Sequence, residues 1–287
     1  MILLVAFGKR GYGLMAHNLA FSIKKHSPDL KIGVWVDEWL HSQLPDKSLF
    51  DDIRILSESD YRNDKGKVDP AIAKTQIYRL GCEMSDKFLY LDVDGICLND
   101  LQPLLNELEG SQIATEIIDK GGKTDKISYN IWASNENIWK FFELDEDATL
   151  CAIQSSWAYF EKSEVGDRMQ QWLDYFMEVG MPKYMYNDQW GGALPDELMY
   201  QGVYAKLGII PSYDGKVVFF GNHTRTTEDE VLAQYKVLSL YGNGGNTTRT
   251  LTKPKWLMLH DKMLRKYGAK PLYKAREVMM DKHANTQ

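Results

Sequence analysis

The sequence predicts an α/β fold: a central mixed, mostly parallel sheet flanked by helices, with a helical extension at the C-terminal end. Three observations carry this. Apolar runs of strand length alternate with segments of helical periodicity through the first third of the chain. Two of those runs stop abruptly on an aspartate, Asp37 and Asp92. The resulting β-α-β-β-α-β order is that of parallel strands joined by crossover helices.

Met1 to Phe7 is a continuous apolar run and reads as a buried first strand, broken by Gly8, Gly11 and Gly13. Leu14 to Lys25 has helical spacing and closes near Ser27-Pro28. Lys31 to Val36 is a second strand and Asp52 to Leu56 a short third. Ala71 to Met84 reads as one helix, with Ile72, Ile77, Leu80 and Met84 on one side. Phe88 to Leu91 is a fourth strand. Further on, Asn135 to Phe142, Val165 to Val179 and Leu198 to Leu207 read as helices. Ala152 to Phe160, Val217 to Phe220 and Trp256 to Leu259 read as strands. Tyr241 to Thr252, rich in Gly, Asn and Thr, reads as a loop, and Asp261 to Asp281 as helix broken at Pro271.

At 287 residues the chain can form one large domain or two small ones. The expected division is a catalytic domain over 1–252 and a basic strand or helical segment over 253–287, packed on it or extending from it. With 44% hydrophobic and 26% charged residues, the composition is that of a soluble globular protein. The first apolar run lacks the basic flank of a leader, and no stretch reaches the roughly 20 apolar residues of a bilayer span. Cys82, Cys97 and Cys151 lack metal-ligand spacing and read as reduced thiols, so a cytoplasmic location is expected. From Lys253 onward there are nine Lys/Arg against three Asp/Glu, whereas the whole chain carries −6. Such a tail could meet an anionic partner; as a solvated helical face it would offset the acidic body.

The chemistry concentrates in Lys87-Phe-Leu-Tyr-Leu-Asp92-Val93-Asp94. Residues two apart in an extended chain point to one side, and the C-terminal tip of a parallel strand is where open α/β sheets bind ligands. Two carboxylates there repel unless a cation lies between them. Mg²⁺ or Mn²⁺, which take oxygen ligands and bridge to a diphosphate, suit that place.

This segment, with Ile72-Ala-Lys74-Thr-Gln-Ile-Tyr-Arg79-Leu80 before it and Leu98-Asn-Asp-Leu-Gln-Pro-Leu-Leu105 after it, resembles the glycogenin-type glycosyltransferases of the GT-A fold. In that family a helix bearing a Lys precedes the strand that ends in Asp-x-Asp. The resemblance implies a metal-dependent, retaining transfer of sugar from a nucleotide-sugar donor, a UDP-sugar by expectation. It implies that Asp92, Val93 and Asp94 meet base, ribose and metal, that Lys74 contacts the donor, and that Arg79 neutralises phosphate. Val5-Ala6-Phe7-Gly8-Lys-Arg-Gly-Tyr12 is similar to the family's first strand and nucleotide loop, with Tyr12 placed to stack on uracil and Ala6, Phe7 and Gly8 against the base. A dinucleotide loop is the other reading of these glycines, but the G-x-G-x-x-G order is absent.

Downstream, Gln154 and Ser155 fall where the family carries Asn-Ser-Gly, with Ser156 in place of the Gly. Asp188 and Gln189 resemble its Asp-Gln motif at the sugar end, implying contact with sugar hydroxyls or catalysis. The third metal ligand is a late His: His260, at the end of the expected strand Trp256 to Leu259, or alternatively His223. Lys253, Lys255 and Lys262 are further diphosphate candidates, and Trp157 and Trp190 candidate sugar platforms. The acceptor, whether glycan, protein, lipid or modified nucleobase, is not named by any motif. Two other readings compete. Leu-Asp92-Val-Asp94-Gly95 also resembles the first motif of haloacid-dehalogenase-type phosphatases, but Ile96 follows and the motif comes late in the chain. A non-catalytic nucleotide-sugar-binding protein would need no intact acidic pair.

Overall fold

The computed structural model describes residues 1–127, 133–180, 195–211, 213–221, 225–240 and 253–269. In chain order the strands are β1 (Ile2–Ala6), β2 (Ile32–Asp37), β3 (Asp52–Leu56), β4 (Lys87–Leu91), β5 (Gly95–Cys97), β6 (Ile113–Ala114), β7 (Ile117–Gly121), β8 (Leu150–Ile153), β9 (Trp157–Glu161), β10 (Val218–Phe220) and β11 (Val237–Ser239). The helices are α1 (Arg10–His26), α2 (Glu38–Gln43), α3 (Pro70–Lys74), α4 (Ile77–Cys82), α5 (Gln102–Leu108), α6 (Asn135–Phe142), α7 (Glu164–Val179), α8 (Asp196–Leu207), α9 (Glu228–Gln234) and α10 (Pro254–Lys266). This is the α/β class expected, a mostly parallel sheet flanked by helices.

The chain forms two compact units, and each is built on its own strands. The first holds Met1–Ser57, Leu91–Glu109 and the chain from Lys216 onward. Its strands β3, β2 and β1 lie side by side and parallel, with Ile2 opposite Ile32 and Gly33 opposite Asp52. β1 and β2 are buried along their whole length, which is why their sequences run apolar instead of alternating. A second sheet orders β10, β11 and β5, with β11 antiparallel to β5. Beneath it Ile96, Leu98, Phe219, Leu238, Trp256, Leu259, Met263, Leu264 and Tyr267 form one buried cluster.

The second unit holds Glu58–Tyr90 and Gly110–Gly215. There β9 lies between β4 and β6 and is antiparallel to β6, while β7 and β8 form a separate antiparallel pair. Helices α7 and α8 pack together, and α8 also covers β8.

Several expected elements differ. The helix expected from Leu14 begins at Arg10, so Tyr12 stands in its first turn and not in a loop. The single helix expected from Ala71 to Met84 is α3 and α4, interrupted at Thr75 and Gln76. Both side chains bond back to the Ile72 carbonyl, at 3.1 and 3.0 Å, and compete with the helical backbone. Ala152 to Phe160 is two strands, β8 and β9, separated by a turn at Gln154 to Ser156. Trp256 to Leu259 is helix: Pro254 opens α10, and Trp256, Leu259, His260, Met263, Leu264 and Tyr267 are buried at a spacing only a helix gives. The expected loop over 241–252 and the residues beyond 269 lie outside the described residues.

Candidate active site

In the first unit, the acidic pair sits where the chain leaves β4. Asp92 and Asp94 are half-buried and Val93 between them is buried; Val93 and Asp94 form a turn between β4 and β5 instead of the extended chain expected. The Asp94 carbonyl accepts the Leu240 N–H at 2.7 Å, and its Oδ1 accepts the Ser239 hydroxyl at 3.3 Å. Ser239 ends β11 and is buried, so Asp94 is fixed to that strand. Gly95 makes this possible. A Cβ there would lie 2.9 Å from Val237 Cγ1 and 3.2 Å from the Leu238 carbonyl, too close for β5 and β11 to pair as they do.

The tip of β1 is organised by Asp37. Its Oδ2 accepts the Gly8 N–H, and its Oδ1 caps α2 through the Leu40 N–H at 2.7 Å. Gly8 has φ of 77°, a conformation glycine takes without a Cβ penalty. Ala6 is buried, while Phe7, Gly8 and Tyr12 are half-buried. A β1 tip leading directly into the start of a 17-residue helix places backbone N–H groups where an anion or base can meet them.

His260 lies in α10, 3% exposed, with Nδ1 at 3.1 Å from Asp261 Oδ1. Its expected place at the end of a strand is corrected by that helix. Two hard oxygen donors at a strand tip suit Mg²⁺ or Mn²⁺. Among the described residues no group of three His, Cys, Asp or Glu stands close enough to hold an ion, and His223 lies outside them. Of the basic candidates, Lys255 donates to the Thr226 carbonyl at 2.7 Å and covers the Trp256 ring, and Lys262 pairs with Glu228 at 3.3 Å. Lys253 caps α10 with its backbone.

In the second unit, Lys74 ends α3, and its ammonium lies 3.4 Å from Asp196 Oδ2. Arg79 is exposed, pairs with Asp174 at 3.0 Å and donates to Gln76, which anchors α4 to α7. Gln154 and Ser155 form the turn between β8 and β9. Gln154 donates its N–H to the Glu116 carbonyl at 3.1 Å, and its own carbonyl accepts the Thr115 hydroxyl at 3.0 Å. A small pocket opens beside them, walled by Ile77, Tyr90, Tyr200 and Tyr204. Trp157 is fully buried and packs edge-on against Tyr213 at 5.7 Å, so it belongs to the core and is not a sugar platform.

Two polar residues here were missed by sequence reading. Ser239 carried no signal, since a serine after Val-Leu is ordinary. Glu116 carried none that periodicity could read. It stands two residues past the apolar pair Ile113-Ala114, with the polar Thr115 between. Burial pushes its carboxyl above the usual range, and the Trp157 indole N–H offsets part of this without reaching hydrogen-bond geometry. Asp188, Gln189 and Trp190 lie outside the described residues.

No protein-family model and no curated protein sequence matches the chain. Solved structures do match it. The galactosyltransferase LgtC, solved with donor and acceptor sugar analogs, superposes with TM-score 0.52 over 93% of this chain and 100% of its own, at 14% identity. An active-site mutant of LgtC gives 0.53 over 92% and 96%, at 15% identity. The bifunctional glycosyltransferase WbbM in its apo form gives 0.57 over 96% of this chain and 51% of its own, at 12% identity. The likeness is one of fold, and the fold is that of the GT-A glycosyltransferases.

Proposed function

We propose that the protein is a glycosyltransferase that moves a sugar from a nucleotide-sugar donor, a UDP-sugar, onto an acceptor. The observation that carries this is the Asp92/Asp94 pair: two half-buried carboxylates where the chain leaves a buried strand, Asp94 tied to β11 through Ser239, in a chain of this fold. The likeness of fold to LgtC, a galactosyltransferase solved with donor and acceptor sugar analogs, supports sugar transfer in general.

Each residue then has a task. The β1 tip, with Ala6, Phe7 and Gly8, offers backbone groups to the base, and Tyr12 offers its ring. Asp92 and Asp94 would hold Mn²⁺ or Mg²⁺ through their oxygens, with His223 the remaining candidate for a third ligand. That ion would stabilise the charge growing on the departing diphosphate. Lys74 orients the donor. Gln154, Ser155, Asp188 and Gln189 line the sugar, and Glu116 joins them through its backbone bond to Gln154. The bond to the diphosphate oxygen breaks ahead of bond formation to the acceptor, so the chain's work is mostly to place charge and exclude water. By resemblance the anomeric configuration is retained.

The test is calorimetric titration with UDP and UDP-sugars, with and without Mn²⁺, on the protein and on Asp94→Ala. Metal-dependent UDP binding that Asp94→Ala loses is the expected result. Absence of nucleotide binding under every metal condition overturns the proposal.

A further inference from the structure

Within the first unit, helices α1 and α10 end against each other. His26 closes α1, and its ring meets Tyr267, the residue after α10, edge to face with centroids 4.8 Å apart. The last turns carry Lys24, Lys25 and His26 on α1, and Arg265 and Lys266 on α10. Cations suit the negative ends of two helices, and that accounts for their place in the sequence. It does not account for the space left among them. A cavity of about 470 Å³ opens there, the size of a small-molecule site.

The polar wall of this cavity is one-sided. It is made of Lys25, His26, Asn99 and Lys266, and no carboxylate lines it. Both lysines are exposed, and among the described residues neither ammonium has a hydrogen bond or an ion pair. His26 Nε2 is buried, and it too has no hydrogen-bond partner there. An orphaned buried nitrogen of this kind calls for a partner. Asn99 cannot supply one from its amide N–H groups, which are given to the Leu232 and Tyr235 carbonyls at 3.0 and 2.7 Å. Burial holds the imidazole below its ordinary range. The charge of Asp100 opposes this, and Lys266 and Lys25 add to it. Asp100 itself is occupied, accepting the Ser27 hydroxyl and the Gln102 N–H. The apolar wall is Leu98, Met263 and the half-buried Leu232.

We propose that this cavity binds a small organic phosphate, its phosphoryl group among Lys25, Lys266 and His26 Nε2 and its organic part against Leu232. The lining selects an anion, because it offers cations and donors with no competing carboxylate. It selects a phosphoryl group among anions. A flat carboxylate is best met by the planar fork of an arginine, whereas two ammonium groups and an imidazole N–H approach the separate oxygens of a tetrahedron. The apolar wall gives an ester something to cover that inorganic phosphate leaves wet. None of these residues has a task in the donor site, so the inference stands apart from the transferase reading.

The probes are phenyl phosphate, inorganic phosphate and phenol, titrated at fixed ionic strength without divalent metal. Calorimetry is run on the protein, on Lys25→Gln combined with Lys266→Gln, and on Asp94→Ala. The His26 imidazole is followed by NMR, its signal assigned with His26→Gln. Phenyl phosphate is expected to bind more tightly than either other probe. The paired lysine variant should weaken it about a hundredfold, tenfold for each charge-assisted contact, and Asp94→Ala should leave it unchanged. Bound phenyl phosphate should also move the titration of His26 upward by about one pH unit in the parent and not in the paired variant. Absence of phenyl phosphate binding at millimolar concentration overturns the inference. So does binding that the paired variant keeps, that Asp94→Ala loses, or that leaves His26 unmoved. Equal affinities for phenyl phosphate and inorganic phosphate overturn the assignment to an ester. The UDP titration is untouched by any of these results and decides the transferase reading separately.

Discussion

Glu116 and Asp92 are two results of one rule. A carboxylate that ends an apolar strand sits at low-dielectric surroundings and must be compensated or changed in charge. Asp92 was legible because four apolar residues precede it and a second carboxylate follows two positions later. Glu116 was not, because its strand, β6, is two residues long and gives no periodicity to read. Asp188 and Gln189 were legible only through family resemblance, and no spacing rule would have found them. The state of Glu116 can be checked. Its folded pKa is raised, so the folded protein holds its proton at pH values where the unfolded chain has lost it. Stability therefore falls as pH rises from the ordinary glutamate range through the raised value, and the loss is complete above it. Glu116→Gln should remove this slope. Relative to the parent, the variant should gain stability between acidic and neutral pH in chemical denaturation. An unchanged difference across that range would mean that Glu116 is not held by burial.

At the scale of elements, sequence periodicity located the fully buried strands β1 and β2 and the amphipathic helices α6 and α7 within a few residues. It failed where strand and helix look alike. Trp256-Leu-Met-Leu259 is four apolar residues, and only the repeat to Met263, Leu264 and Tyr267 marks it as helix. It also failed where packing makes the strand: β5 and β11 are three residues each and exist through each other. Their pairing explains why glycine follows Asp94. Gly95→Ala puts a methyl 2.9 Å from Val237 and against the Leu238 carbonyl, which must separate the strands. The expected cost is about 1–3 kcal/mol of stability in urea unfolding. Because Ser239 ends β11 and bonds Asp94, metal-dependent UDP binding should weaken in the same variant. A loss of stability with unchanged binding would show that the acidic pair is held independently of β11.

For the whole molecule, the basic segment that begins at residue 253 opens with a helix that packs on the first unit. Helix α10 is a wall of the first unit. Trp256, Leu259, Met263, Leu264 and Tyr267 are buried with Ile96, Leu98 and Phe219, and the Tyr267 hydroxyl donates to the Cys97 carbonyl at 3.2 Å. That cluster backs β5 and β11, so β5, which follows Asp94, stands on a helix more than 150 residues away in sequence. No local pattern could announce that contact, because the apolar residues of α10 and β5 are unremarkable until the fold brings them together. A chain cut after residue 252 removes those side chains at once. Each large core residue is worth roughly 3–5 kcal/mol, and a domain's whole margin is about 5–15 kcal/mol. The cut chain should therefore lose its cooperative thermal transition and its near-UV circular dichroism, and not merely its basic charge. Replacing Lys255, Lys262, Arg265 and Lys266 by glutamine keeps the buried face and should leave the transition close to that of the parent. If the cut chain instead melted like the parent, α10 would be an appendage, and the support of Asp94 would have to come from the remaining strands alone.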